Sequence, residues 1–484
     1  MNPYRQRQIV EAAKADIGWA YDELPWLSAE AAEPAERLRR ELLDKLSGAL
    51  SYSFNGTKPH LGPLSPGCRL CGTPGSIFHF INRACTRQCY FCPQDRSRNR
   101  DLPPLTDGMW FEEDGNFVRY VKAFEITGIG FSGGEPLMSP GRLISRMKAV
   151  RLDRGKDMHL WMYTNGDLLD HDVLRRLQSA GLNEIRFNIS ARDYDMTPIR
   201  LARSHIPTVT VEIPTIPEDI ALVKKAMLEM ETFGVDHLNL IQLEVSEDNY
   251  RSLNLSQYHV SHRIELLPVL ESELCSLELM LFRQESRLRL PVHYCGFPYR
   301  FEVTNAQRAK RYNRQGLKEW EDVTEAGFIR TLVLTGSGGE IEQAIQHFGN
   351  ATESAKQWWC NAEKTELWFH RDLLPCIQSM DSGVKILYHN QVPEAYTESG
   401  LKCRRDRVAE FMLSHAALVC WHRLYLEGWG TKEAFRSLAQ EYPMTTAHAS
   451  LKLADEIRLL KQIGAWEALG IRYPEILRLD PLGV

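Results

Sequence analysis

Along its middle third the chain alternates short apolar runs with amphipathic stretches. This pattern predicts strands at Ile77–Asn82, Gly128–Ser132, His159–Thr164, Glu184–Ile189, Thr208–Ile213 and His237–Leu243, with helices between them. The clearest helix is Glu218–Phe233, where Ile220, Val223, Met227, Met230 and Phe233 share one face behind an acidic start. Such alternation is the mark of parallel βαβ units, and this many units in succession suit a partial barrel better than an open sheet with one nucleotide crevice. Ahead of it, helices are expected at Glu11–Tyr21 and Ala35–Leu50, the second carrying Leu38, Leu42, Leu46 and Leu50 on one stripe. After about Pro291 the rhythm changes. Thr331–Tyr396 mixes short apolar runs with Gly turns, and helices are predicted at Arg407–Leu426, Lys432–Glu441 and Thr446–Ile463. The expected fold class is α/β. The expected domains are a helical brace (1–58), a partial six-strand βα barrel with flanking cysteine segments (59–314), a small α/β domain (315–402) and a helical, winged-helix-like domain (403–484).

Composition narrows the function classes. The 484 residues carry 58 Lys plus Arg against 63 Asp plus Glu, a net charge of −5, which argues against a surface given over wholly to nucleic acid. No apolar run approaches a membrane span, and Met1–Arg7 lacks the features of a signal peptide. The expectation is a cytoplasmic protein with no membrane partner. There, clustered cysteines bind metal or do chemistry rather than form bridges. Five of the 11 cysteines, Cys68, Cys71, Cys85, Cys89 and Cys92, crowd into one stretch.

Cys85, Cys89 and Cys92 are spaced C-x-x-x-C-x-x-C directly after the first predicted strand. Three thiolates on one loop can hold three corners of a cubane and leave the fourth iron open to a substrate's amino and carboxylate groups. A structural zinc site is the plain alternative. After the second strand stands Ser132-Gly133-Gly134-Glu135-Pro136, and after the third Tyr163-Thr164-Asn165-Gly166. With Phe91 just before the last cysteine, this ordered set resembles the radical S-adenosylmethionine superfamily.

The resemblance implies a 4Fe–4S cluster on Cys85, Cys89 and Cys92. Reduced by one electron from a donor such as flavodoxin or ferredoxin, it would cleave S-adenosylmethionine to a 5′-deoxyadenosyl radical that abstracts hydrogen from a substrate. It further implies that Gly133, Gly134 and Glu135 bind S-adenosylmethionine, with Glu135 meeting its ammonium. Thr164 and Asn165 would lie nearby, and Asn188 and Ser190 would touch ribose or carboxylate. Glu212 lies in the fifth strand, and Asn239, Gln242 and Glu244, in or after the sixth, would approach adenine or substrate. The substrate class expected is peptide or protein, with RNA, a nucleoside or a small metabolite as alternatives. An iron–sulfur or zinc regulator that binds nucleic acid is the rival from another class, and an electron-transfer module a third reading.

Cys68 and Cys71 precede the barrel and Cys295 follows it, so a partial barrel can bring all three together as an auxiliary site. That site would hold a second iron–sulfur cluster, or zinc or iron with a fourth ligand such as His293. The basic run Arg283, Arg287, Arg289, Arg300, Arg308, Lys310, Arg311 and Arg314 is read first as a solvated face and second as a phosphate contact.

Overall fold

The computed structural model describes Lys14, Gly18 and residues 20–94, 102–261, 267–351, 357–377, 380, 383–441 and 447–468. Seven strands run parallel: β1 (Ser76–Asn82), β2 (Gly128–Gly133), β3 (His159–Thr164), β4 (Glu184–Phe187), β5 (Thr208–Thr215), β6 (His237–Gln242) and β7 (Val292–Cys295). They lie side by side in chain order. Alternate residues such as Ile129, Phe131, Leu160 and Met162 are fully buried. Antiparallel edges complete the sheet: Lys58–Leu61 pairs with β7 and Ser51–Ser53 pairs with that strand, while the hairpin of Leu105–Thr106 and Met109–Trp110 flanks β1. The two edges do not pair with each other, so the sheet stays open.

A short helix shows that this sheet curls. Helix α2 (Pro66–Cys71) follows α1 (Ala29–Leu46) in the chain. A methyl at Gly128 of β2 would stand 2.9 Å from the Leu70 side chain. The Gly67 amide donates to Glu184 of β4 at 2.9 Å. Cys68 accepts from Asn239 of β6 at 3.3 Å and lies 3.8 Å from His293 of β7. A six-residue helix is about 9 Å long. Five strand spacings would separate β2 from β7 by about 24 Å if flat. Only a sheet wrapped around α2 lets one short helix touch both, so α2 plugs the lumen of a partial barrel.

Differences from the expected elements have local causes. The pattern predicts six parallel strands, and β7 is a seventh. Strand β4 stops at Phe187 rather than Ile189, because Ile189–Arg192 turns into a 3-10 helix. The expected Ala35–Leu50 helix begins earlier, at Ala29, with Ser28 accepting the Ala31 amide at 3.2 Å. It braces the helix Leu270–Glu285 through Arg39 and Glu273 at 3.0 Å. Most of the expected Glu11–Tyr21 helix lies outside the described residues.

The chain forms two units, the second of which comprises Asn305–Glu394 and Lys402–Ile471. Its sheet runs in the order Trp358–Cys360, Glu366–Phe369, Ile329–Thr335, Val384–Thr397 and Gly400–Leu413, the first four strands pairing antiparallel, with Glu321–Val323 also antiparallel on Ile329–Thr335. The expected helix from Arg407 starts only at His415, capped by Ser414, because Gly400–Leu413 is a long strand. The sequence boundary placed between 402 and 403 therefore falls inside that strand. Helices Thr431–Glu441 and Ala447–Glu467 follow, and Leu460 and Ile463 are fully buried in the unit's core. Pro443, between these two helices, lies outside the described residues. No helix among the described residues is long and apolar enough to cross a membrane.

Candidate active site at the strand ends

The Gly133-Gly134-Glu135 element ends β2 against the start of the cysteine loop. The Gly134 amide donates to Asn82 at 3.2 Å and the Glu135 amide to Ala84 at 2.7 Å. A methyl on Gly133, whose φ is +135°, would fall 2.2 Å from the Asn82 carbonyl oxygen, and one on Gly134 2.2 Å from that of Ala84. Any side chain there would push β2 away from the loop that carries Cys85.

Glu135 is fully buried. Its carboxylate accepts from Leu137 N at 3.1 Å, from Asn165 N at 2.8 Å and from Thr164 Oγ1 at 3.0 Å. The expected ammonium partner is thus already a clamp between the ends of β2 and β3. Burial pushes its pKa up to about 7 against the pull of the Asn165 and Leu137 amides. Protons therefore bind the folded state more tightly than the unfolded chain, and stability falls as pH rises from about 4.5 to about 7, then levels. Urea midpoints of the metal-free protein at pH 5 and pH 7.5 test this. The wild type should lose stability relative to Glu135→Gln over that interval, and parallel profiles would refute the assignment.

Asn165 joins this clamp to the cysteine loop. Its amide Nδ2 donates to Thr86 Oγ1 at 2.8 Å and lies 3.8 Å from Cys85 Sγ. Next to it, Asp167 accepts from Thr86 at 2.9 Å and from both Arg87 Nε and Nη2 at 2.6 and 2.7 Å, and it also pairs with Arg192. The Arg87 hydrogen bonds hold the Asp167 carboxyl down at about 2. Beyond the cysteines, Gln94 donates to the Gly133 carbonyl at 3.2 Å. Asn249 donates to the Phe91 carbonyl at 3.1 Å. The loop is thereby fastened on three sides.

Cys85, Cys89 and Cys92 are of intermediate exposure. Burial raises the Cys85 pKa, and the Arg87 amide at 3.5 Å opposes it. Among the described residues no three His, Cys, Asp or Glu side chains are close enough to hold a metal ion as they stand. Binding therefore requires side-chain rotation on the loop. Asn188 Oδ1 at the end of β4 is buried with no hydrogen-bond partner among the described residues. Ser190 lies beside the Tyr194 hydroxyl.

Other expected contacts are taken up inside the protein. Glu212 accepts from Arg186 at 2.8 Å and from Asn239 at 2.7 Å. Gln242 bridges Val269 and Phe297, and Glu244 pairs with Arg300 at 3.0 Å. In the basic run, the exposed Arg289 pairs with Glu231, whereas Lys310, which pairs with Glu325, and Arg311 are buried, so the run is not one solvated face. The lumen brings Cys68 next to His293, and Cys71 and Cys295 surround the same buried Lys58. Sequence reasoning missed Lys58, Arg186 and Asp167. The alternation Glu184-Ile185-Arg186 in a parallel strand was the available signal, because such strands are ordinarily apolar on both faces.

Comparison with known proteins bears on this arrangement. Residues 80–218, from β1 to the start of the helix after β5, match the model of the Radical SAM superfamily. A protein of Methanocaldococcus jannaschii named "Putative glycyl-radical enzyme activating enzyme MJ0021" is 25% identical over 298 residues, covering 58% of this chain and 77% of its own. A Methanococcus aeolicus protein named "Probable GTP 3',8-cyclase" is 30% identical over 118 residues, covering 24% of this chain and 37%, little over a third, of its own. The crystal structure of Streptococcus suis SuiB bound to precursor peptide SuiA shares 11% identity over 56% of this chain and 59% of that one. Its TM-score of 0.34 is too low to build on. The matched segment spans the cysteine loop and the strand ends that fasten it, and together with these relatives it supports membership of the radical S-adenosylmethionine superfamily and an enzymatic role.

Proposed function

We propose that this enzyme abstracts hydrogen from a peptide or protein substrate. A 4Fe–4S cluster on Cys85, Cys89 and Cys92 would supply reductive cleavage of S-adenosylmethionine and the resulting 5′-deoxyadenosyl radical. The observation that carries this reading is the double role of Asn165. Its backbone holds the Glu135 carboxylate and its side chain holds Thr86, so the cysteine loop and the Gly133-Gly134-Glu135 turn keep one fixed geometry. Backbone groups of Gly133 and Gly134, with Thr164 and Asn165, line the place for the methionine moiety. Glu135 orients them by bridging two strand ends, and its buried carboxylate supplies negative potential towards the ammonium. The unpartnered Asn188 Oδ1, with Ser190 beside it, suits the hydroxyls of a ribose. Asp167 and Arg87 hold the loop while the thiols rotate to bind iron.

The polypeptide target rests on the name borne by the M. jannaschii relative, an activating enzyme for a glycyl-radical enzyme, whose substrate would be protein backbone. A flavodoxin- or ferredoxin-type donor in the cytoplasm would supply the electron. A second metal centre on Cys68, Cys71 and Cys295 belongs to the same reading. Anaerobic turnover with perdeuterated polypeptides, and separately with deuterated RNA and nucleosides, tests the target. Deuterium is expected in 5′-deoxyadenosine from polypeptide alone; label arriving only from nucleic acid would refute the proposed substrate.

A further inference from the structure

The lumen of the barrel holds a set of groups that the chemistry at the strand ends does not use. Cys68 is 2% exposed, His293 3% and Cys295 8%, and Lys58 is 1% exposed. Cys68 Sγ stands 3.8 Å from His293 Nε2, and Asn239 Nδ2 donates to the same sulfur at 3.3 Å. The Lys58 ammonium sits 3.9 Å from the centre of the Tyr299 ring, and the Tyr299 hydroxyl lies beside Cys71. The neighbouring cation, Arg186, is already matched by Glu184 and Glu212, both at 2.8 Å. The groups that bear on Lys58 are sulfurs: Cys68, Cys295 and Cys71. A lysine this deep is costly unless an anionic group faces it.

We propose that Cys68, Cys71, Cys295 and His293 close around one zinc ion, with Lys58 as its charge partner. This deepens the second-centre part of the reading above and does not depend on radical chemistry. Two ligands of a tetrahedral zinc, one sulfur and one nitrogen, stand about 3.6 Å apart given ordinary bond lengths. The Cys68 to His293 separation of 3.8 Å, a thiol–imidazole contact as it stands, matches one edge of such a site. Ligands on two different irons of a cubane stand farther apart, because a metal–metal edge lies between them. Cys71, one helical turn along α2 from Cys68, and Cys295, at the end of β7, reach the ion by side-chain rotation.

A dication, three thiolates and one ammonium sum to zero, so the buried centre is neutral. Asn239 orients the Cys68 ligand from outside the coordination sphere. With four protein ligands and little exposure the site has no open position for substrate, which is the pattern of structural zinc. It would pin α2 to β7 and so hold the curl of the sheet.

Metal analysis of the full-length protein tests this. About one zinc per chain is expected in the wild type and in Cys89→Ala, falling at least tenfold in Cys68→Ala and His293→Ala. Lys58→Met should bind zinc about tenfold more weakly against a chelator. Should the lumen variants fail to fold, cobalt loaded into the wild-type chain supplies the answer through its tetrahedral visible bands. Sulfur-to-cobalt charge transfer matching three thiolates is expected. Fewer than three thiolates, zinc content indifferent to Cys68→Ala, or iron lost there in place of zinc would overturn the proposal.

Discussion

Cys89→Ala is expected to leave the fold intact and to reduce iron in the anaerobically reconstituted protein from about four atoms per chain at the loop to near zero, with loss of 5′-deoxyadenosine formation. Cys89 is only half-buried, and the bonds from Asn165 to Thr86 and from Asn249 to Phe91 that hold the loop do not involve it. Removing one sulfur from a partly exposed position costs the metal-free protein little, about 1 kcal/mol or less. With the proposed three protein ligands, the loss of one would leave two irons without a protein anchor. Iron content, thermal unfolding of the metal-free chain and product formation together separate this outcome from simple misfolding. Unchanged iron with unchanged 5′-deoxyadenosine would remove Cys89 from the ligand set.

Gly134→Ala should be strongly damaging. Its Cβ would lie 2.2 Å from the Ala84 carbonyl oxygen and 2.8 Å from that of Arg83, both backbone atoms that cannot swing aside. Relief requires β2 to separate from the cysteine loop, breaking the 2.7 Å bond from the Glu135 amide and misplacing the clamp on Asn165. A cost of about 3 kcal/mol is expected, at the upper end for overpacking. Gly141→Ala, with nothing within 4 Å, is the control and should stay within about 1 kcal/mol of wild type. Thermal melts of the three proteins check this. Equal melting temperatures would mean that the turn relaxes freely and that the glycine pair does not set the loop's position.

The barrel was legible where one periodicity dominates. Strands β1 to β6 appear in the sequence within two residues of their observed ends, because each is a short apolar run and β2 to β5 are each followed by helical segments. β7 was not legible as a strand. It has four residues, and the long stretch after β6 breaks the spacing that marks the other units. Gly400–Leu413 was misread at its end because its charged residues alternate along a largely solvent-facing strand, and a run of Arg and Glu looks helical. At the site, the cysteine spacing and the glycine pair were visible in one dimension. The ties from Asp167 to Arg87 and from Asn165 to Thr86 cross about eighty residues, and no local pattern encodes them. The physical reason for the glycines also shifted: they make room for the chain's own Asn82 and Ala84 carbonyls. Lys58 was invisible because a lysine in a short edge strand reads as exposed, and only the lumen's thiols make it otherwise.

The most direct test of the account is to incubate the anaerobically reconstituted wild-type enzyme with S-adenosylmethionine and a one-electron reductant, and to quantify 5′-deoxyadenosine. The account predicts its formation in the wild type and its absence in Cys89→Ala. A fully loaded wild-type cluster that yields no 5′-deoxyadenosine under reduction would contradict it.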